Sequence, residues 1–68
     1  MNYEKTSWPE LTGMDVDKAI EIIRNENGNL DVKKLEDGSM CTRDYRFDRV
    51  RVFYNPQTNL VSNIPSLG

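Results

Sequence analysis

The chain has 68 residues, a formal net charge of −2, no histidine and a single cysteine. That length allows one domain with a small core. A lone cysteine permits no intramolecular disulfide, and the lack of histidine removes the commonest metal ligand and general base. No apolar run approaches the ~18 residues of a membrane span. Met1-Asn2-Tyr3-Glu4-Lys5 lacks the apolar stretch of a signal peptide, so the expected location is cytoplasmic, or secreted or vacuolar where a signal has been removed.

Residues 1–6 are polar and expected to be loose, as termini usually are. Trp8, the only tryptophan, is stiffened on its exit by Pro9 and reads as a core aromatic anchoring the N-terminal arm. Gly13-Met14-Asp15 opens a helix. Asp15 suits the N-cap and Asp17 the positive helix end. Val16, Ala19, Ile20 and Ile23 fall at i, i+3, i+4 and i+7, one apolar stripe, while Glu21 and Arg24 point outward. Asn25-Glu26-Asn27-Gly28-Asn29 ends the helix, with Gly28 expected in the left-handed conformation.

Leu30–Leu35 predicts a first strand with Leu30 and Val32 inward and Lys33 or Lys34 in solvent; Glu36-Asp37-Gly38 ends it. From Arg49 to Phe53 the sequence alternates, putting Val50 and Val52 on one face and Arg49 and Arg51 on the other. Eleven residues separate Leu35 from Phe47. That is too long for a tight hairpin and near the dozen or so that link parallel strands. Asn55-Pro56-Gln57-Thr58-Asn59 is a turn, Leu60–Ile64 a short last strand, and Pro65 is expected to stop it. The predicted fold class is α+β: one helix on one face of a small mixed sheet of parallel and antiparallel strands, with a loop projecting from its edge or end.

Charge is unevenly placed. Residues 1–37 carry nine acids against five bases, a net of −4, and residues 38–68 carry two acids against four bases, a net of +2. All four of those bases are arginines between positions 43 and 51, a local cluster rather than a basic domain. From Gly38 to Arg46 there is neither a helical nor a strand period. Arg49 and Arg51, two apart on one strand face, can reach over that segment, where Thr42 and Asp44 supply acceptors. The pattern is a displayed loop strapped down by charge-assisted hydrogen bonds.

Ser7-Trp8-Pro9-Glu10-Leu11, Gly38-Ser39, Thr42-Arg43-Asp44 and Arg49-Val50-Arg51-Val52-Phe53-Tyr54-Asn55-Pro56, in this order and at these spacings, resemble the potato inhibitor I family of serine-protease inhibitors. The resemblance runs from about Ser7 to Gly68. It implies a single inhibitor domain over 1–68 with the reactive-site loop at 37–46, no enzyme activity, no cofactor and no metal. It implies Arg43–Asp44 as the reactive bond and Met40, Cys41, Thr42, Arg43, Asp44, Tyr45 and Arg46 as the residues meeting the protease. Thr42, Asp44, Arg49 and Arg51 would support the loop. Arg43 would fill the primary specificity pocket, which carries an aspartate in trypsin-like enzymes; the implied partner is a trypsin-like serine protease, with subtilisin-like enzymes as the alternative. A tether on Asp44 would hold the new amine beside the acyl-enzyme after cleavage, making the inhibitor a slow, tightly bound substrate. The family commonly has proline where Glu36 stands and near Gly28, and losing it frees the backbone upstream of the loop.

Two residues stay open. Arg46 reaches either the C-terminal carboxylate of Gly68 or the target enzyme. Cys41 is either an inert thiol on a monomer or, under oxidation, the link of a disulfide dimer. A rival reading takes the arginines and aromatics interleaved from Arg43 to Tyr54 as a nucleic-acid platform. Asp44, Asp48 and the acidic total oppose it, so no nucleic-acid partner and no membrane is expected. A catalytic reading has no metal-ligand set and no nucleophile–base pair to stand on.

Overall fold

The computed structural model describes residues 6–40 and 46–68. A short 3-10 turn at Pro9–Leu11 leads to helix α1 (Val16–Glu26). Strands β1 (Asp31–Glu36), β2 (Arg49–Asn55), β3 (Leu60–Val61) and β4 (Ser66–Leu67) follow. Pro9 stands at the start of the 3-10 turn, where its fixed φ suits the geometry and its missing N–H costs nothing. Trp8 beside it is buried and donates its backbone N–H to the Pro65 carbonyl at 2.9 Å. Its indole N–H donates to Glu26 Oε2 at 3.1 Å, so one side chain ties the N-terminal arm to the last turn of α1.

Helix α1 forms as its pattern dictates. The Asp15 carboxylate accepts from the Lys18 N–H at 3.2 Å, satisfying one orphan donor of the first turn. Val16, Ala19, Ile20 and Ile23 are all buried. The helix stop differs from the expectation. Gly28 is not among the residues with positive φ; Asn27 turns the chain instead. It is extended at the C-cap, its side-chain oxygen accepts from the Asn29 N–H at 3.1 Å, and its carbonyl accepts from the Leu30 N–H at 3.2 Å. This local side-chain turn does what a left-handed glycine would have done. The glycine that does adopt positive φ near the helix is Gly13, at 86°, on the approach to α1.

Strands β1 and β2 are parallel, in register from Asp31 against Arg49 to Glu36 against Tyr54. β2 is the centre of the sheet. β3 pairs antiparallel with its end (Tyr54 with Val61, Asn55 with Leu60) and β4 with its start (Val50 with Leu67, Arg51 with Ser66), so these two short strands share the edge opposite β1. Of the expected strand Leu60–Ile64 only Leu60–Val61 is strand, so it ends before Pro65 is reached, and a separate strand, β4, follows that proline. Pro65, with no N–H to give to a ladder, lies in the irregular stretch between β3 and β4. Pro65 itself is buried.

The apolar stripe of α1, with Trp8 and Leu11, packs against Val32, Val50, Val52 and Val61 on one face of the sheet. The molecule is thus one helix on a mixed sheet, with no disulfide since Cys41 is the only cysteine. The loop joining the two parallel strands leaves from the end of β1 and returns to the start of β2.

Candidate functional site

That β1–β2 loop is the candidate site, and its two ends are held by different means. At the upstream end the Asp37 N–H donates to the Tyr54 carbonyl at 2.9 Å and the Ser39 N–H to the Glu36 carbonyl at 3.0 Å. The Ser62 hydroxyl donates to the Asp37 carboxylate. Gly38 sits between these bonds at φ 83°, left-handed backbone that glycine takes without a side-chain clash. The turn thus holds at Glu36 without the proline that the resemblance places there. Met40 then stands 98% exposed.

Cys41, Thr42, Arg43, Asp44 and Tyr45 lie outside the described residues, and with them the expected reactive bond, the loop acceptors and the thiol. The structure resumes at Arg46. Its Nε and Nη2 donate to the two carboxylate oxygens of Asp48 at 3.1 and 3.0 Å, a bidentate fork. Its Nη1 lies 3.8 Å from Asp31 Oδ2, and Lys33 Nζ lies 3.3 Å from the same oxygen. The Asp31 N–H donates to the Asp48 carbonyl at 2.7 Å. The downstream end is therefore fastened to the first residue of β1. Hydrogen bonds from the Arg46 guanidinium hold the Asp48 carboxyl below the usual carboxylate range, the charged acceptor being favoured by its charged donor. Of the two roles open to Arg46, reaching Gly68 belongs to another arginine. Asp48, two residues downstream across the Phe47–Asp48 turn, is the acceptor that Arg46 meets.

That other arginine is Arg49. Alternation predicts it on the solvent side of β2, and it does lie opposite Val50, but it is only 7% exposed. Its Nε donates to the Gly68 main-chain oxygen at 2.6 Å, and the Gly68 N–H donates back to the Arg49 carbonyl at 2.9 Å. The segment after Pro65 runs beside β2 and covers the side chain. Arg51 is half-buried on the same strand and, with Phe53, Ile64 and Leu67, lines a shallow hollow beside Gly68. Both arginines expected to support the loop therefore stand on the central strand, on the face away from the helix.

Phe47 was not among the site residues expected from the sequence. It is 93% exposed, between the fork residue Arg46 and Asp48. It stands in the turn at Phe47–Asp48, ahead of the alternating stretch that begins at Arg49. Among the described residues no group of His, Cys, Asp or Glu is placed to hold a metal, and no helix is long and apolar enough to cross a membrane.

The family model of the potato inhibitor I family matches residues 1–68. The chain belongs to this family. It is 46% identical over 65 residues to Eglin C of Hirudo medicinalis, across 96% of this chain and 93% of that one. It is 41% identical over 64 residues to protease inhibitor HPI of Hevea brasiliensis, across 94% and 90%. The crystal structure of bitter gourd trypsin inhibitor superposes with a TM-score of 0.89 at 35% identity, covering 97% of this chain and 96% of that one. Potato inhibitor I proteins are inhibitors of serine proteases and not enzymes, and this chain is a serine-protease inhibitor of that type.

Proposed function

We propose that the chain inhibits trypsin-like serine proteases as a single domain and a monomer, offering the 37–46 loop to the active site with Arg43–Asp44 as the reactive bond. The observation that carries the reading is a loop anchored at both ends; in the sequence Arg43 falls between the two anchors. The Asp37–Ser39 turn grips one end and the Arg46–Asp48–Asp31 cluster the other. A loop held at both ends loses little freedom on docking, so more of the contact energy appears as affinity.

Arg43 supplies the specificity. Its guanidinium complements an aspartate at the base of the primary pocket, which a leucine or methionine would not do. In the protease-bound loop, Thr42 and Asp44 accept hydrogen bonds from Arg49 and Arg51, and Met40 to Arg46 form the contact. After attack on the Arg43 carbonyl, Asp44 stays tethered to β2, so its new amine remains beside the acyl-enzyme. Water is kept out, and religation outruns hydrolysis. The likeness to the bitter gourd protein, a trypsin inhibitor by its name, supports the same choice of target.

Titrating trypsin, chymotrypsin and subtilisin with the parent protein and with Arg43→Leu tests this reading. The parent is expected to inhibit trypsin best. Arg43→Leu is expected to lose trypsin and turn toward chymotrypsin or subtilisin. Unchanged trypsin inhibition by Arg43→Leu rules out Arg43–Asp44 as the reactive bond.

A further inference from the structure

We infer that Phe47 is a second anchor for the target protease, an apolar contact on the leaving-group side of the reactive bond and beyond the loop segment assigned above. This rests on the reading of Arg43–Asp44 as that bond. Phe47 is 93% exposed in a chain whose other aromatic side chains, among the described residues, are buried or half-buried. No hydrophobic cluster of the fold includes it. Its direction is set by its neighbours: Arg46 and Asp48 close a bidentate fork across it, and the Asp48 carbonyl is bonded to the Asp31 N–H. With both flanks turned toward β1, the ring between them faces away from the body of the protein.

The occupant follows from position. Phe47 is three residues past Asp44, hence at most about 11 Å from it along an extended chain. A protease–inhibitor interface takes up ~800 Å2 per partner, a footprint with a radius on the order of 16 Å if roughly circular. A protease centred on Arg43–Asp44 therefore covers Phe47 as well. Met40, three residues before Arg43 and 98% exposed, is its counterpart on the other side, so the reactive bond is bracketed by two apolar side chains that the fold itself does not use. Aromatic side chains, phenylalanine among them, are enriched in protein–protein interfaces relative to the rest of the surface. The chemistry that fits is a protease with an apolar surface beside its leaving-group subsites.

Phe47→Ala and Phe47→Tyr, each measured against trypsin and subtilisin, test the inference, with Arg43→Leu alongside. Phe47→Ala is expected to weaken inhibition of trypsin roughly 10- to 30-fold, mainly through faster dissociation, and Phe47→Tyr to stay within a few-fold of the parent. The melting temperature of Phe47→Ala should match the parent, since the ring is almost wholly exposed. If Phe47→Ala inhibits both proteases as the parent does while Arg43→Leu loses trypsin, the second anchor is refuted and the reactive bond stands. If Arg43→Leu keeps trypsin inhibition, the bond is wrong and the placement of Phe47 falls with it.

Discussion

Arg49 and Gly68 bind each other twice, guanidinium to main-chain oxygen at 2.6 Å and amide to carbonyl at 2.9 Å. The pair closes the sheet at the start of β2, where the loop re-enters the fold. Because Arg49 is buried, truncating it leaves a main-chain acceptor without its charged donor. Arg49→Ala is expected to lose roughly 1.5–3 kcal/mol of stability. Arg51→Ala, from a half-buried position, should cost well under that. Urea denaturation of both variants checks this, and equal losses would contradict the burial argument. If the proposed support of the loop by Arg49 and Arg51 holds, both variants should also be cut after Arg43 by trypsin faster than the parent.

Asp15 joins two remote parts of the chain: it caps α1 and accepts from the Asn59 amide at 2.8 Å. Asn59 reaches it from a left-handed backbone, φ 62°, a conformation asparagine tolerates better than most residues. The hydrogen bond from Asn59, then that from the Lys18 N–H, hold the Asp15 carboxyl below the usual range. A carboxyl depressed in the folded state is protonated more readily in the unfolded chain. Its stabilisation is therefore complete above the unfolded value of ~3.9 and fades as pH falls through the lower folded value. Asp48, depressed by Arg46, acts in the same direction. Stability measured from pH 6 downward should fall below about pH 4, and Asp15→Asn should flatten that limb. An unchanged acid limb in Asp15→Asn would remove Asp15 from the account.

Trp8 should be the most costly single truncation among the core residues. It is 1% exposed and large, so Trp8→Ala leaves a cavity and is expected to cost ~3–5 kcal/mol. A chain of this length has roughly 3–10 kcal/mol in total. The variant should therefore be substantially unfolded in mild denaturant where the parent is native. Trp8→Phe keeps most of the packing but drops the N–H that Glu26 accepts, and should fall between the two. Far-ultraviolet circular dichroism reports the unfolded fraction without depending on the indole.

Much of this architecture was legible in the residues. The i, i+3, i+4, i+7 stripe of Val16, Ala19, Ile20 and Ile23 placed α1 and its buried face, because a helix offers no other way to bring those four together. The eleven residues between Leu35 and Phe47 pointed to parallel strands, because such pairing needs a long connection. Arg49 was legible as a residue on the outer face of β2 but not as a buried one. Alternation tells which face a side chain takes, not what a later chain segment brings to it, and here Gly68, just past a strand of only two residues, meets the Arg49 guanidinium. β4 is too short to carry a period and follows a proline, so local pattern had no means of finding it. At the site, the family-like residues of the loop were evident from their order and spacing. The Arg46–Asp48 fork was not, because two opposite charges two residues apart sit on one side in a strand and meet head-on only across a turn.

The loop connects strands that already lie side by side, and that sets what a cut can do. Cleaving Arg43–Asp44 would divide the polypeptide into a piece carrying α1 and β1 and a piece carrying the other three strands. Yet the six register pairs from Asp31–Arg49 to Glu36–Tyr54, and the helix resting on Val50 and Val52, lie away from the break. The molecule would become two chains without becoming two bodies. If Arg43–Asp44 is the reactive bond, that is the difference between an inhibitor consumed by its target and one mended by it, because both halves would stay on one body for the bond to be made again.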